Sequence, residues 1–196
     1  MNDRLSRQLA FLAEADRLKH VLRMTATIGG ERRENSAEHS WHFALAAFIL
    51  AEHAKEPVDI LKVLKIGLIH DLVEIDAGDS FVYSAEAMDG KEEREKAAAE
   101  RIFGMLPEGQ AVELRTLWDE FEAQNTPEAK FAGAVDHLCA VMPNYHNGGG
   151  TWKTHGVSAA RVKERNAPMA DGAPALWDAA SGWISEAVAN GWIAEN

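Results

Sequence analysis

The strongest constraint in the sequence is an apolar run, Leu68 to Glu74, that contains three side chains able to bind a metal or move a proton. His70 and Asp71 stand inside the run, and Glu74 ends it. Burying an imidazole and a carboxylate without partners is costly, and a divalent cation satisfies both. On a helix, Glu74 would lie on the same face as His70 and Asp71. The run therefore predicts half of a metal site, with the other ligands supplied by other helices.

Length and cysteine content narrow the class of protein. A chain of 196 residues with 46% hydrophobic residues suits a single domain over 1–196, with C-terminal helices from about residue 157 packing on it. The N-terminus is charged and lacks a following apolar signal core, and no apolar run is long enough for a bilayer, which predicts a cytoplasmic protein. Cys139 is the only cysteine, so a metal must be held by nitrogen and oxygen ligands.

The net charge argues against polyanionic partners. The chain has 20 basic and 31 acidic residues, a formal net charge of −11, which repels nucleic acid and anionic membranes. A small anionic substrate remains compatible with this charge, because a buried cation and an arginine create a local positive potential.

Helical periodicity extends through almost the whole sequence and predicts an all-α fold. Apolar residues at three- and four-residue intervals predict a first helix that ends at about Leu22, followed by a loop at Arg23–Gly30. A helix over Val58–Ile75 is apolar on most faces, which predicts a position in the middle of a helical bundle. No segment shows a convincing strand pattern.

Two further helices carry candidate ligands. Asn35 or Ser36 is a typical N-cap, and His39 heads the apolar stripe of the helix that follows. Thr126 and the proline after it start another helix, in which Asp136 lies at the edge of the apolar face. A buried aspartate needs a cation beside it, which predicts a metal or an arginine next to Asp136.

This ordered set of ligands resembles the signature of the HD-domain metal-dependent phosphohydrolases. The flanking sequences are similar to the branch that contains the bacterial 5'-deoxynucleotidases and their human HD-domain relatives. The resemblance covers about three quarters of the chain and rests on the runs Glu34–Ser40 and His70–Glu74, the pair Gly78-Asp79, and Asp136. It implies an HD-domain helical bundle, one divalent metal ion (Mn, Fe, Co, Ni or Zn), a homodimer, and hydrolysis of the 5'-phosphate of (deoxy)nucleoside monophosphates.

The resemblance also implies roles for individual residues. Glu74 would be the catalytic carboxylate, Asp79 would assist catalysis or bind the sugar, and Arg23 would bind the substrate phosphate. Arg33, in the loop beside the site, is a further candidate for phosphate binding. Met24 stands where the bacterial deoxynucleotidases have a tryptophan in the sugar pocket, so the resemblance does not predict a choice between ribose and deoxyribose. The metal ligands would be His39, His70, Asp71 and Asp136.

Two alternatives remain open at this point. An HD-type di-iron oxygenase would hold two metals with additional histidines, but no histidine occurs between Asp71 and Asp136. A non-catalytic, metal-stabilised binding module would keep the ligands but would not need Glu74 or Arg23. Three histidines outside the ligand set, His137, His146 and His155, are expected at the surface or in loops.

Overall fold

The structure, a computed structural model, describes residues 3–30 and 32–196. Helices make up 73% of it and strands 4%, which confirms the predicted all-α class. None of the helices in these residues is both long and apolar enough to cross a bilayer. The helices are α1 (Asp3–Ala15), α2 (Ser36–Leu50), α3 (Ile60–Ile69), α4 (Glu74–Ala77), α5 (Ala85–Met88), α6 (Lys91–Phe103), α7 (Glu108–Ala123), α8 (Pro127–His146), α9 (Gly150–Thr154), α10 (Ala159–Asn166), α11 (Met169–Gly172) and α12 (Pro174–Ala189).

Helix α8 is the axis of the bundle. Thr126 caps it by accepting a hydrogen bond from the backbone N–H of Ala129, and Pro127 occupies its first turn. Phe131 and Val135 on this helix are completely buried. Helices α2, α3, α7, α11 and α12 all contact α8, so elements from both ends of the chain share one hydrophobic core.

The start of α2 is set by a capping box. The side chain of Asn35 accepts a hydrogen bond from the backbone N–H of Glu38, and the Glu38 carboxylate accepts one from the N–H of Asn35. This decides between the two N-caps that the sequence allowed. It also places His39 in the first full turn of α2, on its buried side.

The predicted continuous helix over Val58–Ile75 is wrong. Helix α3 starts after Asp59, which caps it, and ends at Ile69; a 3-10 turn then covers His70–Val73 before α4 begins. All four residues of this turn are buried. Because a 3-10 turn holds three residues rather than 3.6, the helical spacing used to align Glu74 with His70 does not apply. The apolar sequence gave no sign of the change, since every face of the segment is buried.

The loop predicted at Arg23–Gly30 contains a strand. Helix α1 ends at Ala15 rather than about Leu22, a 3-10 turn follows, and β1 (Leu22–Ala26) pairs antiparallel with β2 (Arg33–Asn35). Gly29, with φ of 102°, and Gly30, with φ of 73°, form the turn in a backbone region that favours glycine. The second strand has three residues, too few to show an alternating pattern.

Helices α2 and α3 meet at a glycine. A Cβ atom on Gly67 would lie 2.1 Å from Cδ1 of Phe43, whose ring is completely buried. The Phe43 ring in turn lies 5.2 Å from the ring of His70, measured between centroids. The absence of a side chain at Gly67 therefore allows the close approach that positions His70.

Replacing Gly67 by alanine should destabilise the protein. Overpacking against Phe43 costs about 1–3 kcal/mol, more than the gain of up to about 1 kcal/mol in helix propensity. Gly182→Ala in α12 is the matched control, because nothing lies within 4 Å of its added Cβ, and it should be neutral or slightly stabilising. Urea unfolding of both variants measures the difference. Equal stabilities would contradict this account of the contact between α2 and α3.

Candidate metal centre and substrate cleft

The predicted ligands come together at one point from three segments of the fold. His39 Nε2 lies 2.9 Å from Asp136 Oδ1, and His70 Nε2 lies 3.9 Å from the same oxygen. Asp71 also faces both imidazoles: its Oδ1 is 3.2 Å from His70 Nε2, and its Oδ2 is 3.9 Å from His39 Nε2. Ligand atoms of His39, His70 and Asp136 all lie within 4.8 Å of one another. The structure therefore assembles the four residues that the sequence proposed.

The polar atoms at this point are not satisfied by the protein. The Nε2 atoms of His39 and His70 are buried, and neither forms a well-oriented hydrogen bond with a described residue, although His39 Nε2 lies 2.9 Å from Asp136 Oδ1. Burial, followed by the charge of Arg23, lowers the pKa of His39 to about 3, so its imidazole is neutral. Unpaired buried nitrogens beside carboxylates are costly, and a cation at their centre would satisfy them. Two imidazoles with carboxylate oxygens suit a divalent transition metal.

His70 is oriented for ligation by its second nitrogen. Its Nδ1 lies 2.9 Å from the carbonyl oxygen of Gly67. Because a carbonyl only accepts, Nδ1 carries the proton and Nε2 presents a lone pair to the cluster. Burial also lowers the pKa of His70, which favours the neutral ring. The peptide backbone of α3 thus selects the tautomer that can bind a metal.

Arg23 links the ligand cluster to strand β1. It donates a hydrogen bond from Nη1 to Asp71 Oδ2 at 2.7 Å, and its Nε lies 3.7 Å from Glu34 Oε2. Its side chain is only 13% exposed. Although burial opposes it, the charges of Asp71 and Glu74 raise the pKa of Arg23, so the guanidinium keeps its charge beside the cluster.

Glu74 is a buried carboxyl group that lines a cavity together with His70 and Asp71. The Ser36 hydroxyl donates a 2.6 Å hydrogen bond to Glu74 Oε2 and so fixes its orientation. Burial, with the charge of Asp71, raises the pKa of Glu74 to about 8. In the metal-free protein such a group holds its proton at pH 7, and the positive charge of a bound cation would favour the carboxylate form that a general base requires.

Of the two remaining candidates for substrate binding, Asp79 lies at the site and Arg33 does not. Asp79 lines the cleft and accepts a hydrogen bond from the backbone N–H of Met24 at 3.0 Å, which ties the segment after α4 to β1. Arg33 is exposed, and its side chain does not line the cavities next to the ligand cluster. Its guanidinium instead donates to the backbone oxygens of Leu22 and Arg23. The structure therefore does not bring Arg33 to the site.

Three residues of the site were missed from the sequence. Glu34 is buried, and its Oε2 lies 3.7 Å from Nδ1 of His39; burial raises its pKa to about 7. Ser36, considered only as a cap, holds Glu74. His137, expected at the surface or in a loop, lines the cleft, and burial lowers its pKa to about 4. The expectation for His137 was wrong because one helical step from Asp136 still reaches the cleft wall.

Two adjoining cavities form the cleft. Both are lined by Arg23, Asp79 and Asp136. One cavity adds the apolar side chains of Phe81 and Trp152, and the other adds the metal-ligand candidates of the 3-10 turn together with Glu74. The cleft therefore has a polar end at the ligand cluster and a more apolar end beside it.

The chain is similar to several known proteins. A family profile described as HD domain matches residues 15–177. A crystal structure of a predicted metal-dependent phosphohydrolase from Magnetospirillum magnetotacticum is 47% identical, has a TM-score of 0.94, and covers 98% of this chain and 96% of its own. The 5'-deoxynucleotidase HDDC2 of Xenopus laevis is 34% identical over 112 residues, 57% of this chain and 54% of the frog protein. The human 5'-deoxynucleotidase HDDC2 is 30% identical over 135 residues, 68% of this chain and 65% of the human protein. The chain thus spans roughly half to two thirds of the length of these curated relatives.

Removing one imidazole from the cluster should weaken metal binding strongly. We expect His70→Ala to lose at least about tenfold in bound divalent metal, since a donor with a fixed tautomer disappears. His53→Ala is the control, because His53 is exposed and lies outside the cluster. Elemental analysis after metal loading and desalting, with circular dichroism to verify folding, measures both. Unchanged metal content in folded His70→Ala would contradict the assignment.

Proposed function

This chain belongs to the HD-domain family, and we propose that it is a metal-dependent phosphomonoesterase that removes the 5'-phosphate from (deoxy)nucleoside monophosphates. One observation carries the proposal: the imidazole nitrogens of His39 and His70, which are buried and form no well-oriented hydrogen bond at the cluster with a described residue, lie beside a charged arginine and the buried carboxyl group of Glu74. The names of the curated relatives and of the structural neighbour support the substrate class and the reaction type.

We propose a single divalent ion with His39, His70, Asp71 and Asp136 as its ligands. The nitrogen and oxygen donors admit Mn, Fe, Co, Ni or Zn. When bound, such an ion supplies Lewis acidity toward the phosphate and a lowered pKa for water. The absence of further histidines between Asp71 and Asp136 supports one ion rather than two.

The protein's own side chains supply the other parts of the reaction. Glu74, held by Ser36, would accept the proton of the attacking water at its free carboxylate oxygen. Arg23 would bind phosphate oxygens with its permanent charge. Asp79 would bind a sugar hydroxyl or assist proton transfer, from a position fixed by the backbone N–H of Met24.

The two alternatives fit the residues less well. A di-iron oxygenase needs a second group of metal ligands, and the described residues contain one such group, His39, His70 and Asp136. A non-catalytic scaffold does not account for Glu74, a carboxyl group kept buried next to Asp71. A phosphomonoesterase uses both the single group of metal-ligand candidates and the carboxyl group of Glu74.

We further propose that the chain forms one HD domain over 1–196, works in the cytoplasm, and acts on a small molecule rather than on nucleic acid or a membrane. Contacts of α11 and α12 with α8 support the single domain. The net charge of −11 supports a small substrate. Cys139 is free and buried, which suits a reducing compartment.

A homodimer is the proposed assembly, formed through the outer faces of α2 and α3. Trp41, Phe48 and Ile49 on α2 are 65%, 66% and 60% exposed, and Leu61 and Leu68 on α3 are 60% and 56% exposed. Helices α2 and α3 pack side by side, so these side chains belong to neighbouring surfaces. Large apolar surfaces of this kind are typical of homodimer interfaces.

Replacing Glu74 by glutamine should abolish activity without removing the metal. We expect kcat for phosphate release to fall by about 10²–10⁴, the range for loss of a general acid or base. Glu100→Gln, at an exposed position of α6, is the control and should behave as wild type. The assay measures phosphate released from a panel of ribo- and deoxyribonucleoside monophosphates with each divalent ion, alongside metal content.

Two results of this assay would count against the proposal. Full activity in Glu74→Gln would remove Glu74 from the mechanism. A wild-type protein that carries metal but releases phosphate from no member of the panel would show that the proposed activity is wrong.

The proposed dimer predicts that charge on α2 produces monomers. Trp41→Glu combined with Phe48→Glu should lower the mass in solution from two chains to one, because burying two carboxylates in an apolar interface is unfavourable. Leu12→Glu, 62% exposed on α1, is the control. Light scattering coupled to size-exclusion chromatography measures the mass. A monomeric wild-type protein, or a double variant that remains dimeric, would contradict the proposal.

A further inference from the structure

One basic side chain in the cleft has no hydrogen-bond or ion-pair partner among the described residues. Arg23, Lys91 and Arg165 are the described lysines and arginines that line the two cavities. Arg23 is bonded to Asp71 at 2.7 Å, and Lys91 is paired with Glu95 at 2.9 Å. Over residues 3–30 and 32–196, no carboxylate lies within ion-pair distance of Arg165, and its guanidinium forms no hydrogen bond.

Arg165 is an exposed residue that lines the cleft. It lines both cavities, a property that it shares with Arg23, Asp79 and Asp136. It therefore stands at the junction between the polar end at the ligand cluster and the more apolar end beside it. A solvated arginine in the last turn of a helix is common, since the helix dipole favours it, but such a residue need not face a cleft.

The helix that carries Arg165 is firmly held. Val162 and Asn166 on α10 are buried, and the Asn166 side chain donates to the Val162 carbonyl oxygen at 2.7 Å. Arg161, one turn earlier, donates to the Tyr83 carbonyl oxygen at 2.9 Å and lies 5.7 Å from the centre of the Tyr83 ring. The contacts of Arg161 with Tyr83 hold α10 against a segment that lines the cleft, so the backbone at Arg165 has a defined place.

Charge balance gives Arg165 a reason to remain unpaired. Six carboxylates line the cleft, against the three basic side chains named above, in a protein of net charge −11. A doubly charged phosphate group would be repelled by this surface unless cations oppose it. Because Arg23 is bonded to Asp71 and Lys91 is paired with Glu95, Arg165 is the basic side chain of the cleft that has no carboxylate partner among the described residues. The carboxylates of the cleft are Asp71, Glu74, Asp79, Glu95, Glu122 and Asp136.

We propose that Arg165 is a second anion-binding group of the cleft and contacts the phosphoryl oxygens of a phosphate monoester, together with Arg23. The proposal rests on the phosphomonoesterase function proposed above and adds a residue from the C-terminal helices to its substrate site. The planar guanidinium suits phosphate, because its N–H groups can bond two oxygens at once. The same contact would hold inorganic phosphate, the product of the reaction.

The test compares Arg165→Gln and Arg165→Lys with Lys163→Gln. Lys163 lies on the same helix, but its ammonium group donates to Ser185 on α12, and it lines neither cavity. Each glutamine substitution removes one positive charge, so the overall field of the protein changes equally. Titration calorimetry with inorganic phosphate on the metal-loaded protein gives Kd, and steady-state assays give KM and kcat.

Arg165→Gln should weaken phosphate binding and raise KM about tenfold each, the loss expected for one charge-assisted contact, with a smaller change in kcat. Arg165→Lys should fall between wild type and Arg165→Gln, because it keeps the charge but not the paired donors. Lys163→Gln should stay within about twofold of wild type, since screening weakens the effect of a distant surface charge.

The outcomes separate this inference from the proposed function. Phosphate affinity and KM of Arg165→Gln equal to those of Lys163→Gln would overturn the inference, even if hydrolysis is normal. Phosphate binding that depends on Arg165 in a protein without phosphatase activity would support the inference while the proposed function fails. If Arg165→Gln unfolds at a lower temperature than wild type, the phosphate affinity of Arg165→Lys is used instead. A phosphate affinity of Arg165→Lys equal to that of wild type would show that the paired N–H donors of the guanidinium have no role.

Discussion

The structure depends on a group of polar atoms that the fold buries and does not satisfy. His39 and His70 turn their buried Nε2 atoms toward the carboxylate of Asp136. Burying polar atoms without hydrogen bonds lowers the free energy of unfolding, which is small in most proteins. A cation at this point turns the penalty into a favourable interaction. The site and the stability of the bundle are therefore parts of one electrostatic arrangement.

The helices around α8 bring these atoms together from distant parts of the sequence. The capping box at Asn35 determines which residues begin α2 and so directs His39 inward. Close contact between Gly67 and Phe43 sets the distance from α2 to α3, while the Gly67 carbonyl oxygen selects the tautomer of His70. Residues outside the ligand set thus determine the geometry of the metal centre, which explains why local packing matters for the proposed chemistry.

Much of this arrangement could be predicted from the sequence, and the exceptions have physical causes. Apolar periodicity located most of the helices, and polar residues within apolar runs identified the candidate ligands that the structure brings together. The 3-10 turn at His70–Val73 was not predictable, because a segment buried on all sides shows no period. The β1–β2 pairing depends on a three-residue strand. The contacts of Glu34 with Arg23 and His39, and the place of Arg165 at the cleft, come from tertiary packing that spacing along the chain does not encode.

Anomalous diffraction can show whether one cation is bound by His39, His70, Asp71 and Asp136. Crystals of the protein loaded with manganese or nickel would be measured on both sides of the absorption edge of the metal. We expect a single anomalous peak within bonding distance of the Nε2 atoms of His39 and His70 and of the carboxylates of Asp71 and Asp136. A peak at another place, two peaks in the cluster, or an empty cluster in a protein that hydrolyses nucleoside monophosphates would contradict it.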